Sequence, residues 1–350
     1  MKNIFLQIRQ QKLKKLKDEL SLDALLLSST SAKKYSIDIE IEGSFLVYGD
    51  EEFTLIYHQM FQELCVNEAK NLNCVVISKP ILSYFNEQKI LRGKVGIEED
   101  NLTVSFTKSL RKIFPKVKFV NISDKLTKLT GTHDDESLSR FKRASLITNK
   151  VYTEILNEIK PGVTEFDLAQ EINYLIKKHG GDRESFSPIV AFGKSSALPH
   201  YEPKLKKLGK EKVILLDFGV MYKGICTDIS RTILLSENKE IYNSYLLTKE
   251  AITESEKLLK PGAKVAELDN SVRKIFKDKN LEDKFIHALG HGIGYDVHQK
   301  PRISNQSKEV LEVNQIVAIE PALYFSGKFG IRIENNYLIT INGSLNLTNY

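Results

Sequence analysis

Cysteine is scarce: among 350 residues there are three, Cys65, Cys74 and Cys226. An odd number without paired spacing excludes a zinc ribbon and a disulfide framework, and suits a reducing compartment. Long apolar runs are also missing. No stretch reaches the length that spans a bilayer. The opening MKNIFLQIRQQKLKKLKDEL mixes charges with apolar residues at helical spacing and has neither the apolar core nor the cleavage site of a secretory signal. The expectation is a cytoplasmic protein with no membrane partner. Charge bias is weak as well, 51 Lys+Arg against 45 Asp+Glu, and the net +6 is spread along the chain. Without a focused basic stripe, nucleic acid is not an expected partner.

What is present is an ordinary globular composition, 41% apolar and 27% charged, at a length that accommodates two domains. Residues 1–125 read as a self-contained α/β unit. A basic amphipathic helix precedes strands at ALLLSS, SFLVYG and FTLIYH. A helix from Gln59 to Lys70, strands CVVIS and KVGIEE, a helix near 104–113 and a strand KFVNIS follow. TGTHDDESLS, at 130–139, sets a turn glycine and acids ahead of a helical pattern. Residues 126–139 are therefore assigned to a linker and 140–350 to a second domain.

The second domain repeats itself. VYTEILNEIKPGVTEFDLAQEINYLIKKHG begins at Val151 and AITESEKLLKPGAKVAELDNSVRKIFKDKN at Ala251, so Lys-Pro-Gly falls at 160–162 and again at 260–262. After the first helix pair comes VILLDFGVMYKGICTDISRTILL, and after the second IVAIEPALYFSGKFGIRIENNYLIT, both readable as strand, glycine turn, strand. Helices and hairpins recurring in the same order point to a duplicated α+β half.

The duplication gives meaning to four acids. Asp217 and Asp228 are expected roughly opposite each other across the first hairpin, and Glu320 opposite Glu334 across the second. Each alone reads as a strand-end acid capping a turn. Four at matching places in paired halves would converge, and buried like charges push one another's pKa up unless cations offset them. Two divalent cations would do so. HALGHGIGYDVH supplies His287, His291 and His298 among glycines, and the equivalent connector in the first half, SFSPIVAFGKSSALPHYEP, supplies His200. Arg332, two residues before Glu334, shares its strand face and would orient that carboxylate. Cys226 reads as a small buried thiol.

These residues resemble the pita-bread metallopeptidases, the family of aminopeptidase P, prolidase, methionine aminopeptidase and creatinase. The likeness rests on DFG, TDISRT, GHGIG, IEPALY and IRIE, and covers roughly 140–345. It implies an α+β chain: a C-terminal pita-bread domain, duplicated about a pseudo-twofold, preceded by a smaller creatinase-like α/β domain. It also implies Asp217, Asp228, His291, Glu320 and Glu334 as metal ligands. In the family's pattern Asp217 chelates one ion, His291 binds the other, Asp228 and Glu334 bridge, and Glu320 doubles as general base. His200 would stabilise the oxyanion, His298 would contact the substrate and His287 would support the site. Manganese is the expected metal, with cobalt or zinc as substitutes, and a homodimer acting on proline-containing peptides is implied. The expected activity is Xaa-Pro aminopeptidase, the alternative Xaa-Pro dipeptidase (prolidase). A non-catalytic binding module of the same fold is disfavoured by the intact acid set. Tyr201, Ile225, Gln299 and Ala322 depart from the family's usual residues, as does SSTSAKKYSIDIEIEGSF in the first domain.

Overall fold

The computed structural model describes residues 4–69 and 72–348. The backbone forms two compact units that divide between Thr130 and Gly131. The first contains helices α1 (Ile4–Glu19), α2 (Thr30–Ile37), α3 (Gln62–Glu68), α4 (Ile81–Gln88), α5 (Val104–Ile113) and α6 (Ser123–Thr130). Its strands are β1 (Ala24–Leu27), β2 (Phe45–Gly49), β3 (Glu52–His58), β4 (Asn73–Ile77), β5 (Lys94–Ile97) and β6 (Lys118–Asn121), in the sheet order β4-β3-β2-β1-β5-β6. The sheet is mixed: β2 runs antiparallel to β1 and β3, and the other pairs are parallel. Leu26, Ile56, Val95 and Ile97 on the sheet pack with Phe85 of α4 and Leu110 of α5.

Two expectations change. The helix expected from Gln59 opens as a 3-10 turn over Gln59–Phe61 before α3, and its expected end, Lys70, lies outside the described residues. The stretch read as a linker is largely helical: α6 runs to Thr130 and α7 starts at Asp135. Leu126 ties α6 down by burial, and Asp134 starts α7 with a reciprocal capping pair to Ser137. Among the described residues no helix is long and apolar enough to cross a membrane.

The second unit shows the repeat. Its helices are α7 (Asp135–Ile155), α8 (Glu165–Lys178), α9 (Lys239–Leu258) and α10 (Val265–Lys277). The first half holds β7 (Arg183–Glu184), β8 (Ile189–Phe192), β9 (Val213–Phe218), β10 (Val220–Tyr222), β11 (Ile225–Cys226) and β12 (Ile229–Leu234). The second holds β13 (Gly290–Gly292), β14 (Gln299–Ile303), β15 (Ile316–Ile319), β16 (Ala322–Phe325), β17 (Phe329–Arg332), β18 (Asn335–Thr340) and β19 (Gly343–Asn346). The ladders β12-β9-β8 and β18-β15-β13 match between halves.

Each helix pair covers one sheet face with its own core. Leu168, Ile172 and Ile176 of α8 meet Ile214, Leu216 and Phe218 of β9, while Leu268, Val272 and Phe276 of α10 meet Val317 and Ile319 of β15. The helical positions recur every four residues, the strand positions every two, as one-sided burial of each element requires. Period two then sends Asp217, and likewise Glu320, to the face turned away from the helices.

Candidate metal centre

The acids meet because the halves join along their helix-free faces. The Glu334 N–H donates to the Ser230 carbonyl at 3.0 Å, the Asp228 N–H to Asn336 Oδ1 at 3.0 Å, and Asn336 Nδ2 to the Asp228 carbonyl at 2.7 Å. Thr232 Oγ1 and the main chain of Arg332 extend the seam. In the second hairpin, Ile319 pairs with Asn335 and Ala322 with Arg332, a register that sets Glu320 across from Glu334. In the first, the expected pairing is offset: Asp217 lies opposite Ser230, not Asp228. The two-residue turn at Lys223–Gly224, with φ of 48° and 76°, sets this register. Asp228 is then a diagonal neighbour of Asp217 on the same face.

The structure brings Asp228, His291 and Glu334 together, with one ligand atom from each lying within 4.8 Å of the others, all three residues buried. His291 Nε2 is 3.8 Å from Asp228 Oδ2 and 4.0 Å from Glu320 Oε1. His298, exposed, sets its ring edge-on to His291 at 4.5 Å between centroids. His291 sits on the narrow strand β13 between two glycines. A Cβ on Gly290 would lie 2.0 Å from the Ala318 oxygen, and one on Gly292 2.2 Å from the Lys300 oxygen. Only glycine lets β13 lie this close to its neighbours. Gly290→Ala should therefore force β13 from β15, lowering stability by roughly 1–3 kcal/mol and weakening metal uptake; unchanged melting and metal content would contradict this packing.

Arg332 has a different partner from the one expected. Its guanidinium pairs with Asp217, donates through Nε to Ser230 Oγ at 2.7 Å and through Nη1 to the Tyr324 oxygen at 2.6 Å. It reaches Glu334 only through Ser230, whose hydroxyl donates to Glu334 Oε2 at 2.8 Å. The geometric reason is the first hairpin's register, which puts Ser230 where Arg332 and Glu334 both face it. His287 closes the chain: Nδ1 donates to the Ala288 carbonyl at 2.7 Å, so Nε2 accepts from the Tyr324 hydroxyl at 3.1 Å. His200 lies in an exposed loop, near enough that its charge lowers the pKa of both His287 and His298. Tyr324, Ser230 and Asn336 were not anticipated. Each stands two or four residues from an acid on the same strand path, so the period-two rule applied to every ligand would have found them.

Electrostatics show what the cluster lacks. Burial, then the charges of Glu334, Asp217 and Glu320, hold the Asp228 carboxyl well above its ordinary range. Burial and Glu334 raise Glu320, and burial with Asp217 pushes Glu334 up to about 8. Burial and the neighbouring His298 push His291 down to about 4. Asp217 Oδ1 and Asp228 Oδ1 are buried with no hydrogen-bond partner. His291 Nδ1 bonds the Gly292 carbonyl at 3.0 Å and so carries the proton, leaving an Nε2 lone pair facing carboxylate oxygens too distant to hydrogen-bond. Lone pairs facing lone pairs repel unless a cation stands between them. Orphaned oxygens and one imidazole with a fixed outer hydrogen bond are the donor set of a hard divalent metal site.

A duplicated α+β half that gathers four carboxylates and an imidazole at its seam defines a metal-dependent hydrolase. The chain belongs to metallopeptidase family M24, whose model matches residues 139–341, and the creatinase/prolidase N-terminal domain matches 9–129. The fold is accordingly a pita-bread domain preceded by a creatinase-type domain, and divalent metal ions belong to its chemistry. The chain is 31% identical to an Xaa-Pro dipeptidase of Pyrococcus furiosus, over 97% of each chain. Among solved structures it resembles the prolidase of Pyrococcus horikoshii, at 29% identity and a TM-score of 0.90 over 97% of this chain and 98% of that one. It also resembles an X-Pro aminopeptidase of Thermotoga maritima, at 28% identity and a TM-score of 0.89 over 97% of each chain.

Proposed function

We propose that this chain is an Xaa-Pro dipeptidase, hydrolysing the bond before proline in dipeptides. The observation that carries it is the likeness to the Pyrococcus furiosus dipeptidase, which extends over 97% of both chains. The motifs do not separate dipeptidase from aminopeptidase, which was the first expectation; relatives named as dipeptidases, matched through the first domain as well, favour the alternative. The intact ligand set argues against a non-catalytic module.

Asp217, Asp228, His291, Glu320 and Glu334 would hold two divalent cations. When bound, the cations supply the positive charge that acidifies water at neutral pH and attracts negative charge forming on the scissile carbonyl. An oxygen-rich set with one imidazole suits manganese. Glu320 is the most exposed of the five, at 21% of its side chain against 8–10% for Asp228, His291 and Asp217, and takes the proton from the attacking water. His298, whose ring stands edge-on to His291, offers an N–H to the substrate. His200 donates to the developing oxyanion. Arg332 fixes Asp217, and His287 backs Arg332 through Tyr324. A cytoplasmic homodimer is the assembly proposed.

Assay on Xaa-Pro and Xaa-Pro-Yaa after manganese loading tests the substrate class. Efficient release from the dipeptide with poor turnover of the tripeptide is expected; a preference for the tripeptide would restore the aminopeptidase.

A further inference from the structure

Tyr201 replaces a histidine of the family pattern, immediately after His200, and the structure gives its hydroxyl a specific partner. Residues 198–204 form an irregular loop that is pinned around His200. On one side the Pro199 carbonyl accepts from Arg332 Nη1 at 3.4 Å. On the other the Tyr201 hydroxyl donates to Glu165 Oε2 at 2.7 Å, and the Lys204 N–H reaches the same oxygen at 3.4 Å. Glu165 is 0% exposed, stands on the first residue of α8, and accepts the Phe192 N–H on Oε1 at 2.8 Å. A buried carboxylate on a helix end thus gathers the end of β8 and the His200 loop.

From this we infer that Tyr201 is a positioning residue for His200. Its bond to Glu165 and the Arg332 contact to Pro199 hold the two residues flanking His200, which restricts the backbone carrying the imidazole. The phenol does not touch the carboxylate cluster in any contact above, so its influence on the reaction runs through His200. A hydrogen bond to a carboxylate is about twice as strong as a neutral one, and misplacement of a reacting group by about 1 Å can lower a rate by roughly 100-fold. The inference rests on the reading of His200 as an oxyanion donor.

The test is a double-mutant cycle on the manganese-loaded enzyme with an Xaa-Pro dipeptide: Tyr201→Phe, His200→Ala and the pair. Tyr201→Phe keeps the ring and leaves Glu165 the Lys204 N–H, so the chain folds. Its kcat is expected to fall about ten-fold with KM within about two-fold, the split of a group acting in the transition state. Metal content is unchanged. The double variant should match His200→Ala alone. Glu165→Gln, which weakens the same bond, should reproduce the pattern, and hydrogen exchange should quicken across 198–204 in Tyr201→Phe. An unchanged kcat in Tyr201→Phe, or the same fold-loss repeated in the His200→Ala background, overturns the positioning role while leaving His200 in place. Wild-type kcat in His200→Ala overturns the reading of His200 and, with it, any role through that residue.

Discussion

Chelated, metal-free protein is expected to lose thermal stability as pH rises from about 6.5 to about 8, and to regain it when manganese is added. Glu334, pushed up to about 8 from an ordinary 4.5, keeps in the fold a proton that the unfolded chain releases. Such a group contributes stability below its unfolded pKa and loses it as pH rises through the folded one. Asp228 and Glu320 shift in the same direction. The histidines oppose them. His287 and His291, pushed down to about 4 from 6.5, contribute stability that is lost as pH falls between those values. Above 6.5 their opposing effect fades as the unfolded chain's imidazoles lose their remaining protons, and the carboxylates set the sign of the slope. One group titrating across that window is worth about 2 kcal/mol, on the order of 5 °C in melting temperature. Bound cations reverse the slope, because ligands must shed protons to bind and affinity rises with pH. Melting curves at pH 6.5, 7.2 and 8 with chelator, then with excess manganese, measure both signs. A metal-free protein whose melting temperature is flat or rises across this range would refute the charge reading of the cluster.

The same particulars show what a sequence can carry. The gathering of the acids was legible because two periodicities coincide: strand alternation puts each acid on one face, and the repeat at Lys-Pro-Gly supplies its counterpart. Leu168, Ile172 and Ile176 answering Leu268, Val272 and Phe276 made the duplication visible as an apolar stripe. Register was less accessible. Asp217 pairs with Ser230 because a tight turn fixes the ladder, and a shift of two residues leaves the alternation untouched. The partner of Arg332 was hidden for the same reason, since Asp217 lies on another strand 115 residues away. In the first unit, α2 escaped notice because TSAKKYSI carries almost no apolar stripe. Its start depends on the Ser29 cap and on Glu98, which accepts the Ser28 and Ser29 N–H groups from 70 and 69 residues away. Long-range partners of that kind leave no local pattern.

Asp228→Ala is expected to abolish turnover and metal binding while leaving the fold intact. Asp228 is the acid with the most demands on it: held above its ordinary pKa by burial and then by three other carboxylates, and carrying an oxygen with no partner. Among the described residues its side chain makes no hydrogen bond across the seam. What joins the halves here is its main chain, through the N–H to Asn336 and the carbonyl from Asn336, and both survive in alanine. Removing the carboxylate therefore separates function from folding. Loss of kcat/KM by about a thousand-fold or more corresponds to roughly 4 kcal/mol of transition-state stabilisation, a reasonable loss for a group that would hold the metal. The metal-free variant should also melt above the metal-free parent, because one of four mutually repelling buried acids is gone. With manganese the order inverts, since only the parent gains binding energy. Metal analysis after gel filtration, dipeptide turnover and paired melting curves check all three. Residual activity near the parent's would defeat the metal-centre assignment, and a metal-free variant less stable than its parent would show that the carboxylate supports the fold in some way other than by charge.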